Sequence, residues 1–190
     1  MRYPIPRQRR ALIFWVMLAL TVVINRLMAG PLTTPAAPYG IVSLELAGTE
    51  ANARAIIDSW DAAAREQALF GVRLDYLFLL TYSTAISLGC VWAASLVGER
   101  RWLASAGLYL AWLQWLAALF DAIENVGLLY MLGGQTEQPW PLIAQWFAIP
   151  KFALIVLGLL YTLVIGVGLW LRRRLSRAPA EHSAGTLNDL

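Results

Sequence analysis

Apolar residues in this chain concentrate in four long runs, Ala11 to Met28, Val72 to Val97, Trp102 to Leu132 and Leu142 to Leu171. Each contains at least the roughly 18 residues that a helix needs to cross a hydrocarbon core about 30 Å thick. The runs predict an all-α, four-helix transmembrane bundle. The connections are Gly98 to Arg101, then Gly133 to Pro141, and a longer stretch from Gly30 to Gly71.

That longer stretch opens with Pro31, Pro35 and Pro38, which read as an extended link. From Thr49 the pattern changes. Thr49 suits an N-cap, and Ala53, Ile56, Ile57, Trp60 and Ala64 recur at helical spacing on one face. Arg54 with Asp58, and Asp61 with Arg65, stand four apart on the other face. The spacing predicts an amphipathic outer helix over about 50–69, between spans 1 and 2, lying on the bundle or at the interface, or else running through Gly71 into the second span with a bend.

Charge sets the orientation. Ten of the fifteen basic residues fall on one side: Arg2, Arg7, Arg9, Arg10, Arg100, Arg101, Arg172, Arg173, Arg174 and Arg177. Basic residues are retained inside, which predicts cytoplasmic N- and C-termini in a bacterial inner membrane. Trp102 and Trp170 mark the inner boundary, and Trp140 and Trp146 the outer one. Trp15, Trp92, Trp112 and Trp115 fall deeper and read as packing residues. A cleaved signal peptide is the competing account of the first run. Its apolar region would be Ala11 to Ile24, but Asn25 and Arg26 follow at once without a small-x-small site, so an uncleaved anchor is expected. One domain over 1–175 and a disordered cytoplasmic tail over 176–190 complete the organisation.

Composition narrows the function classes. Apolar residues make up 59% of the 190 and charged ones only 14%, with a mean hydropathy of +0.58. A soluble domain carries about 25% charged residues, so a soluble enzyme or nucleic-acid module is excluded. The net charge of +3 arises from arginines beside apolar runs, an orientation signal and not a nucleic-acid footprint. Cys90 is the single cysteine and His182 the single histidine. Neither a disulfide, a bis-histidine haem nor a cysteine- or histidine-rich metal centre is expected, and no cofactor is implied.

Six ionisable residues lie inside or at the mouths of the spans: Arg26, Arg73, Asp75, Asp121, Glu124 and Lys151. Counted at about 1.5 Å per residue from the cytoplasmic ends, they converge on one layer near the outer leaflet, at roughly 22 to 33 Å. Asn25, Tyr76, Tyr82 and Asn125 accompany them. On the third helix Gln114, Asp121 and Asn125 share a stripe with Glu124 beside it, and Gly107, Ala111 and Ala118 continue it inward. The second helix offers Asp75, Leu79, Tyr82, Ile86 and Gly89. On the fourth, Pro150 precedes Lys151 and frees a carbonyl at Trp146. Three acids and three bases would balance.

Three strings carry a resemblance: Leu74-Asp75-Tyr76-Leu77-Phe78 with Tyr82, Phe120-Asp121-Ala122-Ile123-Glu124-Asn125, and Pro150-Lys151-Phe152. Together they resemble an uncharacterised family of small bacterial membrane proteins with four spans and an outer segment after the first. The likeness covers about 45–161. It implies topology and carries no activity.

Three functional classes follow. In the first, Asp121, Glu124, Asn125, Lys151, Asp75, Tyr82 and Trp146 form a site for an amphiphile such as a lipid, an isoprenoid or a quinone. Lys151 would meet an anionic or carbonyl head, the acids would orient it, Tyr82 and Trp146 would pack beside it, and the stripe Gly107, Ala111, Ala118 would take the tail. In an enzymatic version Asp121 or Glu124 is a general acid or base, although no nucleophile or metal constellation supports a reaction. In the second, the ion layer is architecture in an accessory subunit, whose segment 31–71, with five acids and two arginines, faces a basic membrane-protein partner. The third is a proton-coupled transporter, which would require a homo-oligomer.

Overall fold

The computed structural model describes residues 4–98 and 101–175. The expected disordered tail at 176–190 lies outside them. After a short turn at Arg7–Arg9 come α1 (Arg10–Met28), α2 (Ile41–Glu45), α3 (Glu50–Asp58), α4 (Ala62–Leu96), α5 (Arg101–Leu132) and α6 (Trp140–Leu160). A π-helical stretch, Tyr161–Val167, carries α6 without a break into α7 (Gly168–Leu175). The described residues are all-helical and contain no strand. Four helical rods are long and apolar enough to cross a membrane.

The helix expected over 50–69 is two helices. Its first half ends at Asp58, where the Ser59 and Trp60 amides turn back to the Ile56 and Ile57 carbonyls. Asp61 then caps a new helix by accepting from the Ala64 amide at 2.8 Å. Two competing caps twelve residues apart, Thr49 and Asp61, divide a stretch whose apolar spacing alone reads as continuous. The second span therefore starts at Ala62, ten residues before the expected Val72. The charge pairs also differ. Arg54 meets Glu50 at 2.8 Å and not Asp58, while Arg65 reaches Asp58 at 3.4 Å because Asp61 is engaged as a cap.

Helix α4 is the central rod. Two thirds (67%) of its most apolar window is buried, against 6% for α1, which packs mainly on α4's flank. Buried hydroxyls on α4 are satisfied locally: Ser83 donates to the Leu79 carbonyl and Thr84 to that of Leu80, both at 2.6 Å. Ser87 instead crosses to the Ala111 carbonyl of α5 at 2.6 Å. Small residues let the rods close up. A Cβ on Gly158 would lie 2.5 Å from Gln114 Nε2, and one on Gly107 would collide with the Tyr161 hydroxyl.

The segment joining α1 to α4 folds back over one end of the bundle. Leu32, Ala37, Leu44, Ala53, Ile56, Ile57 and Trp60 form one apolar cluster with Ala64, Ala68, Val72, Leu128, Met131 and Ala144. Trp60, 2% exposed, donates from Nε1 to the Leu32 carbonyl at 2.8 Å, which pins the proline-rich link to α3. Two glutamines of the α5–α6 side hold the turn between α2 and α3: Gln145 donates to the Leu46 carbonyl and Gln138 to that of Gly48, both at 3.1 Å. Gly48 has φ +66°, a conformation that a side chain would strain. Gln67 of α4 donates to the last carbonyls of α1, at Leu27, Met28 and Ala29. The five-residue helix α2 was not foreseen, and it places Glu45 in the bundle.

Four deep tryptophans depart from expectation. Trp15, Trp92, Trp112 and Trp115 are partly exposed and lie outside the buried core, although the Trp92 ring packs against Gly166. Small residues fill the close helix contacts instead.

Candidate functional site

Lys151 sits one residue after Pro150 inside α6, 4% exposed. Its ammonium meets three carboxyls from two other elements: Glu124 at 2.7 Å and Asp121 at 3.1 Å on α5, and Glu45 at 3.5 Å on α2. The contact with Glu124 is the shortest but lies outside hydrogen-bonding angles, so it is an ion contact. Glu124 is wholly buried, and its Oε1 has no hydrogen-bond donor. Burying charges at such cost is tolerable only when partners surround them, as they do here.

A second tier supports the first. Tyr82 of α4 donates to Asp121 Oδ2 at 2.8 Å. Asn125 donates from Nδ2 to Asp75 Oδ2 at 2.7 Å, tying α5 to α4 a turn away. Spacing explains the convergence: Asp121, Glu124 and Asn125 occupy one α5 face, and Asp75 and Tyr82 are seven apart on one α4 face. Of the seven expected site residues the structure brings six together. Trp146 stands apart, 69% exposed, on the far side of α6.

The charge balance differs from expectation. Arg26 and Arg73, expected in the layer, are exposed and do not join the cluster. Glu45 takes their place. One ammonium now faces Glu45, Asp121 and Glu124, a formal −2 if all are ionised, with half-buried Asp75 adjacent. Burial holds the Glu45 carboxyl above its ordinary value of 4.5; the Lys151 ammonium pulls it back, and the Asp121 carboxylate pushes it up again. Glu45 was missed because it belongs to no span. Its one sequence signal is a lone acid in the apolar string Ile41 to Leu46.

Lys151 is fully engaged and is not free to meet an anionic head group. The small stripe is likewise occupied, Gly107 by Tyr161 and Ala111 by Ser87, so it holds no tail. Gln114, also on that stripe, is buried and donates to the Leu154 carbonyl at 3.0 Å, with Oε1 unpartnered.

Beside the ion cluster lies a cavity of about 50 Å³ between Met28, Ile41, Val72 and Leu128, with Glu45, Asp75 and Asn125 on its polar side. A larger open groove of about 410 Å³, along Val126, Leu129 and Tyr130, touches none of the buried charges. The described residues offer no cluster of His, Cys, Asp and Glu able to hold a metal ion.

Fold and site together define an all-helical chain with four rods of membrane-spanning length and an enclosed lysine–carboxylate cluster at one end. Compared with known protein families, curated proteins and solved structures, the chain matches none.

Proposed function

We propose that this chain is an integral protein of the bacterial cytoplasmic membrane, with both termini inside, that binds the polar end of an amphiphile from the outer leaflet. Four apolar rods, an outward-facing set of Leu, Val and Trp side chains, and arginines at one end support the placement. The single observation that carries the binding role is the cavity walled by Glu45 and Asp75. It is large enough for one or two water-sized groups. Its polar wall has carboxyls in excess of cations, so the matching head is an ammonium or a hydroxyl that donates hydrogen bonds. The apolar remainder of the molecule would lie along Met28, Ile41 and Val72.

Native mass spectrometry of the protein released in mild detergent tests this. A retained lipid-sized mass is expected in the wild type and its loss in Asp75→Asn and in the cavity-filling Val72→Phe. No retained mass in the wild type would overturn the binding role.

One observation favours a second function, an accessory subunit with a purely architectural ion network. Lys151 is enclosed by acids from two elements and ties the connecting segment to α5 and α6. In that case the three proteins above behave alike, and disruption of the cluster costs stability alone.

A further inference from the structure

We propose that Glu45 and Glu124 hold one proton between them, and that this proton latches the segment between α1 and α4 onto the bundle. The inference goes beyond amphiphile binding and does not depend on it.

The two carboxyls converge on one ammonium, Glu45 at 3.5 Å and Glu124 at 2.7 Å from Lys151 Nζ. Ionised, both would be acceptors, and neither could satisfy the other. Glu124 Oε1 is completely buried and lacks a donor. Among the described residues none supplies one. The Lys151 ammonium is directed at Glu45, Asp121 and Glu124 Oε2, Tyr82 donates to Asp121, and Asn125 donates to Asp75. A proton shared between Glu45 and Glu124 would supply the donor that the buried Glu124 carboxyl lacks.

Burial makes that proton favourable and Asp121 adds to the effect, while Lys151 and Glu124 oppose it. Asp121 and Glu124 face it from α5, Asp75 acts on it from α4, and Lys151 from α6 is the one cation of the cluster. Burial in this setting holds Glu45 above its ordinary value of 4.5. Undocking of α2 returns Glu45 to water, where it ionises at that ordinary value. The docked form therefore binds a proton that the undocked form releases. Docking is fully supported below the ordinary value and is weakened progressively as pH rises through the docked value. Glu45 sits on a helix held by its side-chain contacts, by Gln145 and by the apolar cluster, so its ionisation acts on a segment able to lift as a unit.

The test uses the full chain in lipid nanodiscs with Cys90→Ala. A cysteine at buried Ala47 reports undocking, and one at exposed Ala55 corrects for the thiol's own titration. The Ala47 to Ala55 labelling ratio should rise with pH, with a slope approaching roughly tenfold per pH unit, that of one proton. Glu45→Gln retains a donor for Glu124 without a charge and should give a low, pH-independent ratio. Glu124→Gln, which donates back to Glu45, should also abolish the slope and serves if the first variant does not fold. Asp75→Asn should keep it. A flat wild-type ratio, a slope that survives in Glu45→Gln or Glu124→Gln, or a slope lost in Asp75→Asn would each overturn the proposal. Amphiphile retention is read separately by mass, so failure of binding and failure of the latch are distinguishable.

Discussion

Glu45 and Lys151 stand 106 positions apart in the chain, yet Glu45 Oε2 lies 3.5 Å from the lysine Nζ. The contact joins a five-residue helix in a connecting segment to the middle of a long apolar rod. It exists because Trp60, Gln145 and the apolar residues of α2 and α3 press that segment against the bundle. Remove the docking, and Glu45 returns to solvent while Lys151 keeps Asp121 and Glu124.

Lys151→Met should be the most damaging change in the cluster. It leaves Asp121 and Glu124 buried without a cation, a loss of about 3–5 kcal/mol, measurable by denaturant unfolding in detergent. Adding Glu124→Gln should recover only part of that loss, because Asp121 stays unpaired. Full recovery from the pair would show that Lys151 serves Glu124 alone.

Tyr82→Phe removes one hydrogen bond to the Asp121 carboxylate and nothing else of substance. A decrease of about 1.5–3 kcal/mol is expected for a bond to a charged group, read in the same unfolding assay. A smaller effect in an Asp121→Asn background would confirm that the two act through one another.

The connecting segment should be held by its apolar face. Trp60→Ala should cost about 3–5 kcal/mol as a large buried ring is deleted. Arg54→Ala removes a solvent-exposed ion pair with Glu50, together with a hydrogen bond to Thr136 Oγ1, and should cost about 1 kcal/mol or less. Proteolysis of the segment in nanodiscs should rank the two variants in that order.

Close helix approach makes a further demand at Gly158. Gly158→Ala would place a methyl 2.5 Å from Gln114 Nε2 and 2.8 Å from Ile86, forcing both side chains aside. An overpacking cost of about 1–3 kcal/mol is expected from thermal unfolding. Gly168→Ala, where nothing lies within 4 Å, should be tolerated.

The proposed topology predicts that cysteines at Ala36 and Ala55, both exposed, react with an impermeant thiol reagent in intact cells. A cysteine at Ser176, beyond Arg172 and Arg174, should react only after permeabilisation. Ala37 is unsuitable for this purpose because it is fully buried and would be silent on either side.

Four apolar runs and a single layer of ionisable residues could be read directly from the chain. A helix of spanning length follows from local composition, and depth along a helix follows from a fixed rise per residue. The convergence of Asp121, Glu124 and Lys151 was legible for that reason, as was the inward face of α4 carrying Leu79 and Tyr82. Depth does not give rotation about the axis or which neighbour a face meets. Arg26 and Arg73, expected in the layer, are exposed and do not join the cluster, while Trp146 lies on the exposed side of α6. Only the packed structure decided those placements, because they depend on which rods adjoin. Glu45 is the clearest case: its position comes from a non-local return of the segment 30–61, driven by burial of Trp60 and its apolar neighbours. Local pattern established where charges could lie in depth; tertiary packing decided that four acids, and one lysine alone, meet there.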